Sequence, residues 1–267
     1  GPRLSGSPQA QKSVEATARM LREAGADTVY LQPCMVPAWK RGAKEQAIVT
    51  YGGKQQPLKV CALGMSIGTP AAGIKSGVIE VRNFEELEKL PNETVKGKIV
   101  FFNYPMRPEL VDGGYGDAVR YRSGGPVAAA KKGAVAVMIR SVTHALDYNP
   151  HTGTTRYDSG VTKIPAFACS TVDAEWLAAL LDTQKQGVKL YLKASPRKFE
   201  DVMSYNVIGE IRGSRYPDEI ITVGGHLDSW DMGEGAHDDG AGCVQSIEVI
   251  RAMKTLGLKP QRTIRAV

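Results

Sequence analysis

The stretch IITVGGHLDSWDMGEGAHDDG, residues 220–240, combines an apolar run, two adjacent glycines, two histidines and a cluster of acids. The apolar run predicts a strand over residues 219–223 that leads through Gly224-Gly225 to His226. His226 and Asp228 follow with a spacing of two, which places both side chains on one side of an extended backbone. Ligands of open α/β sheets gather beyond the carboxyl ends of the strands. The stretch therefore predicts a ligand site at the edge of such a sheet.

Acidic residues crowd around His226 although the chain as a whole has a net charge of +6. Five of them stand within twelve positions: Asp228, Asp231, Glu234, Asp238 and Asp239. Without a cation these carboxylates would repel one another, and each would favour its neutral form. A divalent ion removes that conflict, and imidazole nitrogen with carboxylate oxygen is a ligand set that suits zinc.

Two other interpretations of this stretch stay open. A strand, glycines and then a helix is also the pattern of a Rossmann-type phosphate loop, and Gly233-x-Gly235 is present, although acids would repel a phosphate. A solvated acidic loop without a function is the second alternative.

The bulk composition excludes some classes of protein. No window approaches eighteen consecutive apolar residues, so we expect no membrane span. The Lys and Arg residues are scattered along the chain, which favours a solvated basic surface over a nucleic-acid site. The four cysteines stand far apart without a Cys-x-x-Cys pair, which argues against a zinc ribbon and predicts small buried side chains.

Hydrophobic periodicity predicts alternating helices and strands. Helices are predicted over residues 7–24, 84–90, 118–132, 172–181 and 241–256, and strands over 28–32, 46–51, 58–63, 77–81, 98–103, 134–139, 188–192, 205–211, 219–223 and 263–267. The runs 46–51 and 58–63 predict a hairpin. Because the chain stops inside its last predicted strand, we expect it to be part of a longer protein.

Several segments resemble one known family. Gly225-His226-Leu227-Asp228-Ser229-Trp230-Asp231 and Gly235-Ala236-x-Asp238-Asp239-Gly240 are similar to the first metal motif of the M28 zinc peptidases. The resemblance extends over essentially the whole chain, through residues 1–7, 66–70, 139–142, 150–153, 163–166 and 256–263.

This resemblance implies an α/β fold, with a zinc-exopeptidase-type mixed sheet that is flanked by helices and is incomplete in this chain. It also implies an inserted protease-associated (PA) α/β domain. The boundaries we expect are 1–63 for the first part of the peptidase domain, 64–195 for the PA domain and 196–267 for the continuation of the peptidase domain.

The resemblance also implies roles for individual residues. His226 would ligate one zinc ion, Asp238 would bridge two, and Asp228 would serve catalysis by hydrogen-bonding and orienting His226. The peptide bond between Asp238 and Asp239 would be cis. Residues that could shape a substrate pocket are Ser229, Trp230, Asp231 and His237. Two Zn²⁺ are expected in a complete active site.

The general base and the remaining zinc ligands of the family would follow Val267. We therefore expect the 267-residue chain alone to be inactive and to bind zinc weakly.

The resulting functional hypothesis is a zinc-dependent exopeptidase of the aminopeptidase, carboxypeptidase or dipeptidase kind, acting on dipeptides or short peptides through a zinc-activated water. Its partners would be a peptide substrate and, in a homodimer, a second copy, with no nucleic acid. Its location would be secreted, periplasmic or lysosomal. The alternatives are a non-catalytic receptor or scaffold on the same fold, and a one-zinc acyltransferase of the glutaminyl-cyclase type.

Overall fold

The computed structural model describes residues 1–184 and 187–267. The strands in this part of the chain are β1 (Thr28–Val36), β2 (Trp39–Lys40), β3 (Gln46–Tyr51), β4 (Lys54–Pro57), β5 (Val60–Ala62), β6 (Ile74–Val81), β7 (Ile99–Phe102), β8 (Ala136–Arg140), β9 (Ala166–Cys169), β10 (Lys189–Lys193), β11 (Arg197–Lys198), β12 (Val202–Ile211), β13 (Tyr216–Val223) and β14 (Arg262–Ala266). The helices are α1 (Pro8–Glu23), α2 (Phe84–Lys89), α3 (Asn92–Val95), α4 (Tyr115–Lys131), α5 (Thr171–Thr183) and α6 (Gly242–Thr255). None of the described helices is long and apolar enough to cross a lipid bilayer.

The chain divides into two compact units. The first combines Gly1–Trp39 with Phe199–Val267, and the second is Lys40–Lys198. The first unit is therefore built from both ends of the chain, and the second is an insertion between them.

The first unit contains a mixed sheet with the order β1-β12-β14-β13 among its described strands. β12 is antiparallel to both of its neighbours, whereas β13 and β14 are parallel. One buried cluster joins apolar residues of α1, α6, β12 and β14: Val14, Ala18, Leu21, Val207, Ile211, Ile247, Ile250 and Ala266. Because α1 and α6 share this cluster, both helices cover the same face of the sheet.

α1 shows how the sequence determines the ends of a helix. Ser7 is the N-cap, and its hydroxyl accepts a hydrogen bond from Ala10 N at 3.1 Å. Pro8 occupies the first turn, where its missing N–H costs nothing. Beyond the C-cap, Gly25 has a φ of 91°, a left-handed conformation that glycine adopts without strain.

The second unit contains a larger mixed sheet with the order β4-β3-β10-β6-β7-β8-β9-β5 among the described strands. Along β7 the side chains alternate between two buried clusters, Ile99 and Phe101 in one and Val100 and Phe102 in the other. Residues of α5 join the first cluster, and residues of α2 and α4 join the second. Helices therefore cover both faces of this sheet.

One predicted pairing is wrong. β3 does not form a hairpin with residues 58–63 but with β4, which lies inside the stretch predicted as the turn. Gly52 and Gly53 have φ values of 48° and 75°, and two consecutive positive φ angles give the tight turn that closes a two-residue hairpin. β5 pairs instead with β9.

The insertion also begins earlier than the expected residue 64. β3, β4 and β5, which we assigned to the first part of the peptidase domain, are strands of the larger sheet. The pairing of β3 with β10 and of β5 with β9 is long-range, and local sequence patterns contain no information about it.

The cysteines are free thiols. Cys61 and Cys169 are buried, as the sequence predicts, but Cys34 and Cys243 are half-buried.

Candidate metal centre

The end of β13 places His226 at the edge of the smaller sheet. β13 and β14 pair in parallel, and the pairing continues beyond them. Val267 N donates to Val223 O at 3.0 Å, and Gly225 N donates to Val267 O at 3.2 Å. His226 therefore lies just beyond the carboxyl ends of two parallel strands, the position that the sequence predicts.

Two glycines allow the close approach of backbone segments behind His226. A Cβ atom on Gly225 would lie 2.6 Å from Asp239 Oδ2 and 2.7 Å from Cys243 N. A Cβ atom on Gly224 would lie 2.8 Å from Val267 O. Any larger residue would push apart the strand end and the start of α6.

The His226 ring lies between two aspartates. Its Nδ1 is 3.0 Å from Asp228 O and 3.2 Å from Asp228 Oδ1. Its Nε2 is 3.0 Å from Asp238 Oδ1. With Nδ1 carrying a proton toward Asp228, the Nε2 lone pair is directed to the side where Asp238 lies.

The surrounding charges favour a protonated ring in the absence of a metal. Partial burial alone would lower the pKa of His226, but the carbonyl and carboxylate of Asp228 and the carboxylate of Asp238 outweigh it, so the pKa is raised. A divalent cation at Nε2 would take the place of that proton and balance the same carboxylates.

Asp238 and Asp239 have different surroundings although they are neighbours. The peptide bond between them is cis, the bond that the resemblance singles out. Asp239 faces the protein: its Oδ2 accepts from His226 N at 3.1 Å, and its Oδ1 accepts from Gly242 N at 3.2 Å. The Asp238 side chain is 77% exposed and turns toward the His226 ring. Asp239 thus ties the start of α6 to His226, while Asp238 is left available for a ligand.

The spacing of this pair fits shared coordination of zinc. Two ligand atoms about 2.0–2.2 Å from one tetrahedral zinc ion lie roughly 3.3 Å apart. The 3.0 Å between His226 Nε2 and Asp238 Oδ1 is close to that value. Within the described residues, no group of three or more His, Cys, Asp or Glu side chains is arranged to hold a metal ion. The described residues therefore offer two candidate ligands at this position, His226 and Asp238.

The structure adds two residues that sequence reasoning did not assign to the site. Arg3 donates from its guanidinium to Leu227 O and, at 2.8 Å, to Gly235 O. The Ser5 hydroxyl donates to Asp228 Oδ2 at 2.9 Å. More than 220 positions separate these partners, so only the resemblance of residues 1–7 to the start of a peptidase domain could have pointed to them.

The four predicted pocket residues are not equivalent. Ser229 is buried, and its hydroxyl accepts from Arg3 N at 3.2 Å, so it packs into the protein. Trp230 and Asp231 are half-buried, and His237 is exposed. No hydrogen bond joins His237 to His226 among the contacts described.

A cavity of about 270 Å³ adjoins the His226–Asp228 pair. Its walls are mostly apolar and come from α1, β12 and α6, with Val14, Val207 and Ile247 among them.

Comparison with known proteins identifies the class to which this arrangement belongs. The family model for peptidase family M28 matches residues 206–267, which include β13, the site and α6. Carboxypeptidase Q from Homo sapiens is 42% identical over 270 residues, an alignment that covers 100% of this chain and 54% of that protein. The chain belongs to peptidase family M28.

Solved structures agree with that assignment. The peptidase M28 precursor from Shewanella amazonensis matches with a TM-score of 0.94 and 41% identity, covering 100% of this chain and 60% of that one. The zinc aminopeptidase from Bacillus subtilis matches with a TM-score of 0.64 and 23% identity, over 100% of this chain and 56% of that one, and shares the fold. The chain spans about half the length of the curated carboxypeptidase Q relatives that it matches.

Proposed function

We propose that this protein is a zinc-dependent exopeptidase that hydrolyses dipeptides or short peptides. The observation that carries the proposal is the His226 ring, with Asp228 on one nitrogen and Asp238 on the other. Family membership supports it, as do relatives whose names describe them as carboxypeptidases and zinc aminopeptidases.

In this proposal the three residues have different tasks. Asp228 accepts a hydrogen bond from the Nδ1–H group of His226 and so fixes the tautomer that offers Nε2 to the metal. Asp238 would bridge two zinc ions, and its exposed carboxylate has two oxygens with which to do so. When bound, zinc supplies a Lewis acid that acidifies water and polarises the scissile carbonyl. Asp239 keeps the backbone of His226 in place during turnover.

The test uses the protein expressed from its complete gene. We expect two zinc ions per chain by elemental analysis and hydrolysis of a panel of dipeptides. His226→Ala and Asp238→Asn should each lose zinc and activity, whereas His151→Ala, which replaces an exposed histidine of the other unit, should keep both.

The outcomes of this test separate the competing functions. A protein that binds no zinc would support a receptor or scaffold, and one zinc ion with acyl-transfer activity would support the glutaminyl-cyclase type. Two zinc ions and full turnover in His226→Ala would contradict the proposed site.

We also propose that the inserted unit, Lys40–Lys198, is the PA domain. Its support is the resemblance of its segments and its place in the sequence as a separate α/β unit between the two segments of the peptidase unit. The homodimer and the secreted, periplasmic or lysosomal location rest on the resemblance alone. Light scattering of the purified protein and tracking of the tagged protein in its own cells test them.

A further inference from the structure

The N-terminal segment is fastened to the loop that follows His226. Arg3 N donates to Ser229 Oγ at 3.2 Å, and Ser229 N donates to Arg3 O at 3.1 Å. The Arg3 guanidinium adds donors to Leu227 O, to Gly235 O and, at 3.3 Å, to Glu234 O. Arg3 is thus hydrogen-bonded both to the start of the loop, at residues 227 and 229, and to its later part, at residues 234 and 235.

These hydrogen bonds place the Ser5 hydroxyl next to Asp228, the aspartate that contacts His226. Ser5, two residues after Arg3, donates from its hydroxyl to Asp228 Oδ2 at 2.9 Å. The other oxygen, Asp228 Oδ1, faces His226 Nδ1 at 3.2 Å. The carboxylate therefore has a hydrogen-bond partner on each oxygen, which restricts its rotation.

A purely structural role in starting α1 does not account for this contact. The N-cap of α1 is Ser7, whose hydroxyl accepts from Ala10 N. The turn that leads into the helix is closed by Ser7 N, which donates to Leu4 O at 2.9 Å. Neither interaction uses the Ser5 side chain.

We propose that Ser5 is a positioning residue of the metal centre. Its hydroxyl holds Asp228 in the orientation that aligns the His226 ring, so it raises zinc affinity without contacting zinc or substrate. This inference rests on the proposed function of His226 as a zinc ligand. Residues that hydrogen-bond a metal ligand are known to tune metal affinity. Asp228 is such a residue for His226, and Ser5 in turn hydrogen-bonds Asp228.

The first experiment measures zinc affinity of the protein from its complete gene by competition with a chromophoric chelator. We expect Ser5→Ala to weaken zinc binding about three- to tenfold, the range of one net hydrogen bond, and Ser5→Thr to restore most of it. Ser7→Ala is the matched control: it removes the α1 cap, so it should lower the melting temperature but leave zinc affinity unchanged.

A second measurement separates positioning from a general loss of structure. In the Asp228→Ala background, where Ser5 has no carboxylate to hold, Ser5→Ala should have little further effect on zinc affinity, because interacting residues are not additive. In ¹H–¹⁵N NMR spectra of the zinc-loaded protein, the signal of the His226 Nδ1–H group should be weaker in Ser5→Ala than in the unmodified protein.

Equal zinc affinity in Ser5→Ala and the unmodified protein would overturn the inference, as would full additivity with Asp228→Ala. His226→Ala in the same assay separates a failure of the proposed function from a failure of the positioning role of Ser5. If His226→Ala binds zinc normally, the proposed function itself fails; if only Ser5→Ala binds normally, the positioning role alone fails.

Discussion

At the scale of single residues, the site depends on what each aspartate faces. Asp228 contacts the ring of His226, and Asp239 accepts a hydrogen bond from its backbone N. The Asp238 side chain is mostly exposed to solvent. The family resemblance already implies different roles for Asp228 and Asp238, and the folded chain adds the contacts of Asp239 with His226 N and Gly242 N.

We predict that Asp228→Asn reduces zinc affinity about 10- to 100-fold. The carboxamide keeps the size of the side chain but offers a weaker acceptor to His226 Nδ1. Chelator competition measures the loss, and circular dichroism should show an unchanged fold. Unaltered affinity would mean that Asp228 does not orient the ring.

A second residue-scale prediction concerns the glycine before His226. Gly225→Ala should lower the free energy of unfolding by about 1–3 kcal/mol, because the new methyl group would overlap Asp239 Oδ2 and Cys243 N. Gly233→Ala is the control, since a Cβ atom there meets no atom within 4 Å. Urea denaturation of both variants tests the difference, and equal stabilities would contradict the packing argument.

At the scale of helices and strands, patterns with local causes were predictable. Five of the six described α-helices and ten of the fourteen described strands fall within a few residues of their predicted bounds, because caps and periodicity act locally. The elements that the sequence did not predict are α3, β2, β4, β9 and β11. The partner of β3 was missed, since its turn uses Gly52-Gly53 and strand pairing is not encoded in periodicity. The family motif predicts His226 and Asp238 as ligands, and the structure places the two side chains 3.0 Å apart. Arg3 and Ser5 reach the site from the other end of the chain, and no local pattern predicts them.

An ion pair between two elements gives a pH prediction. The side-chain hydrogen bond from Lys254, near the end of α6, lowers the pKa of Asp27 from its ordinary 3.8. A depressed folded-state pKa contributes stability that is present above 3.8 and is lost as the pH falls through the lower folded value. Both side chains are more than a third exposed, so the effect should be small.

Lys254→Met should therefore raise the pKa of Asp27 toward its ordinary value, as measured by NMR titration of the carboxyl group. Carboxyl groups titrate between about pH 5 and pH 2. Over this range the melting temperature of Lys254→Met should fall less than that of the unmodified protein. An unchanged Asp27 titration curve would show that this pair is not formed in solution.

At the scale of the whole molecule, two units have separate cores. The second unit buries its aromatic and aliphatic residues in clusters formed only by residues of Lys40–Lys198. We predict that this segment, expressed alone, unfolds cooperatively in urea, because it has a complete core. A gradual transition, or near-ultraviolet circular dichroism without fixed aromatic signals, would contradict its independence.

The central claim is that His226 and Asp238 share a metal centre. The most direct measurement is anomalous diffraction at the zinc edge from crystals of the protein expressed from its complete gene and grown with zinc. We predict an anomalous peak about 2.0–2.2 Å from both His226 Nε2 and an Asp238 carboxylate oxygen. No peak there, with the two side chains still hydrogen-bonded to each other, would contradict it.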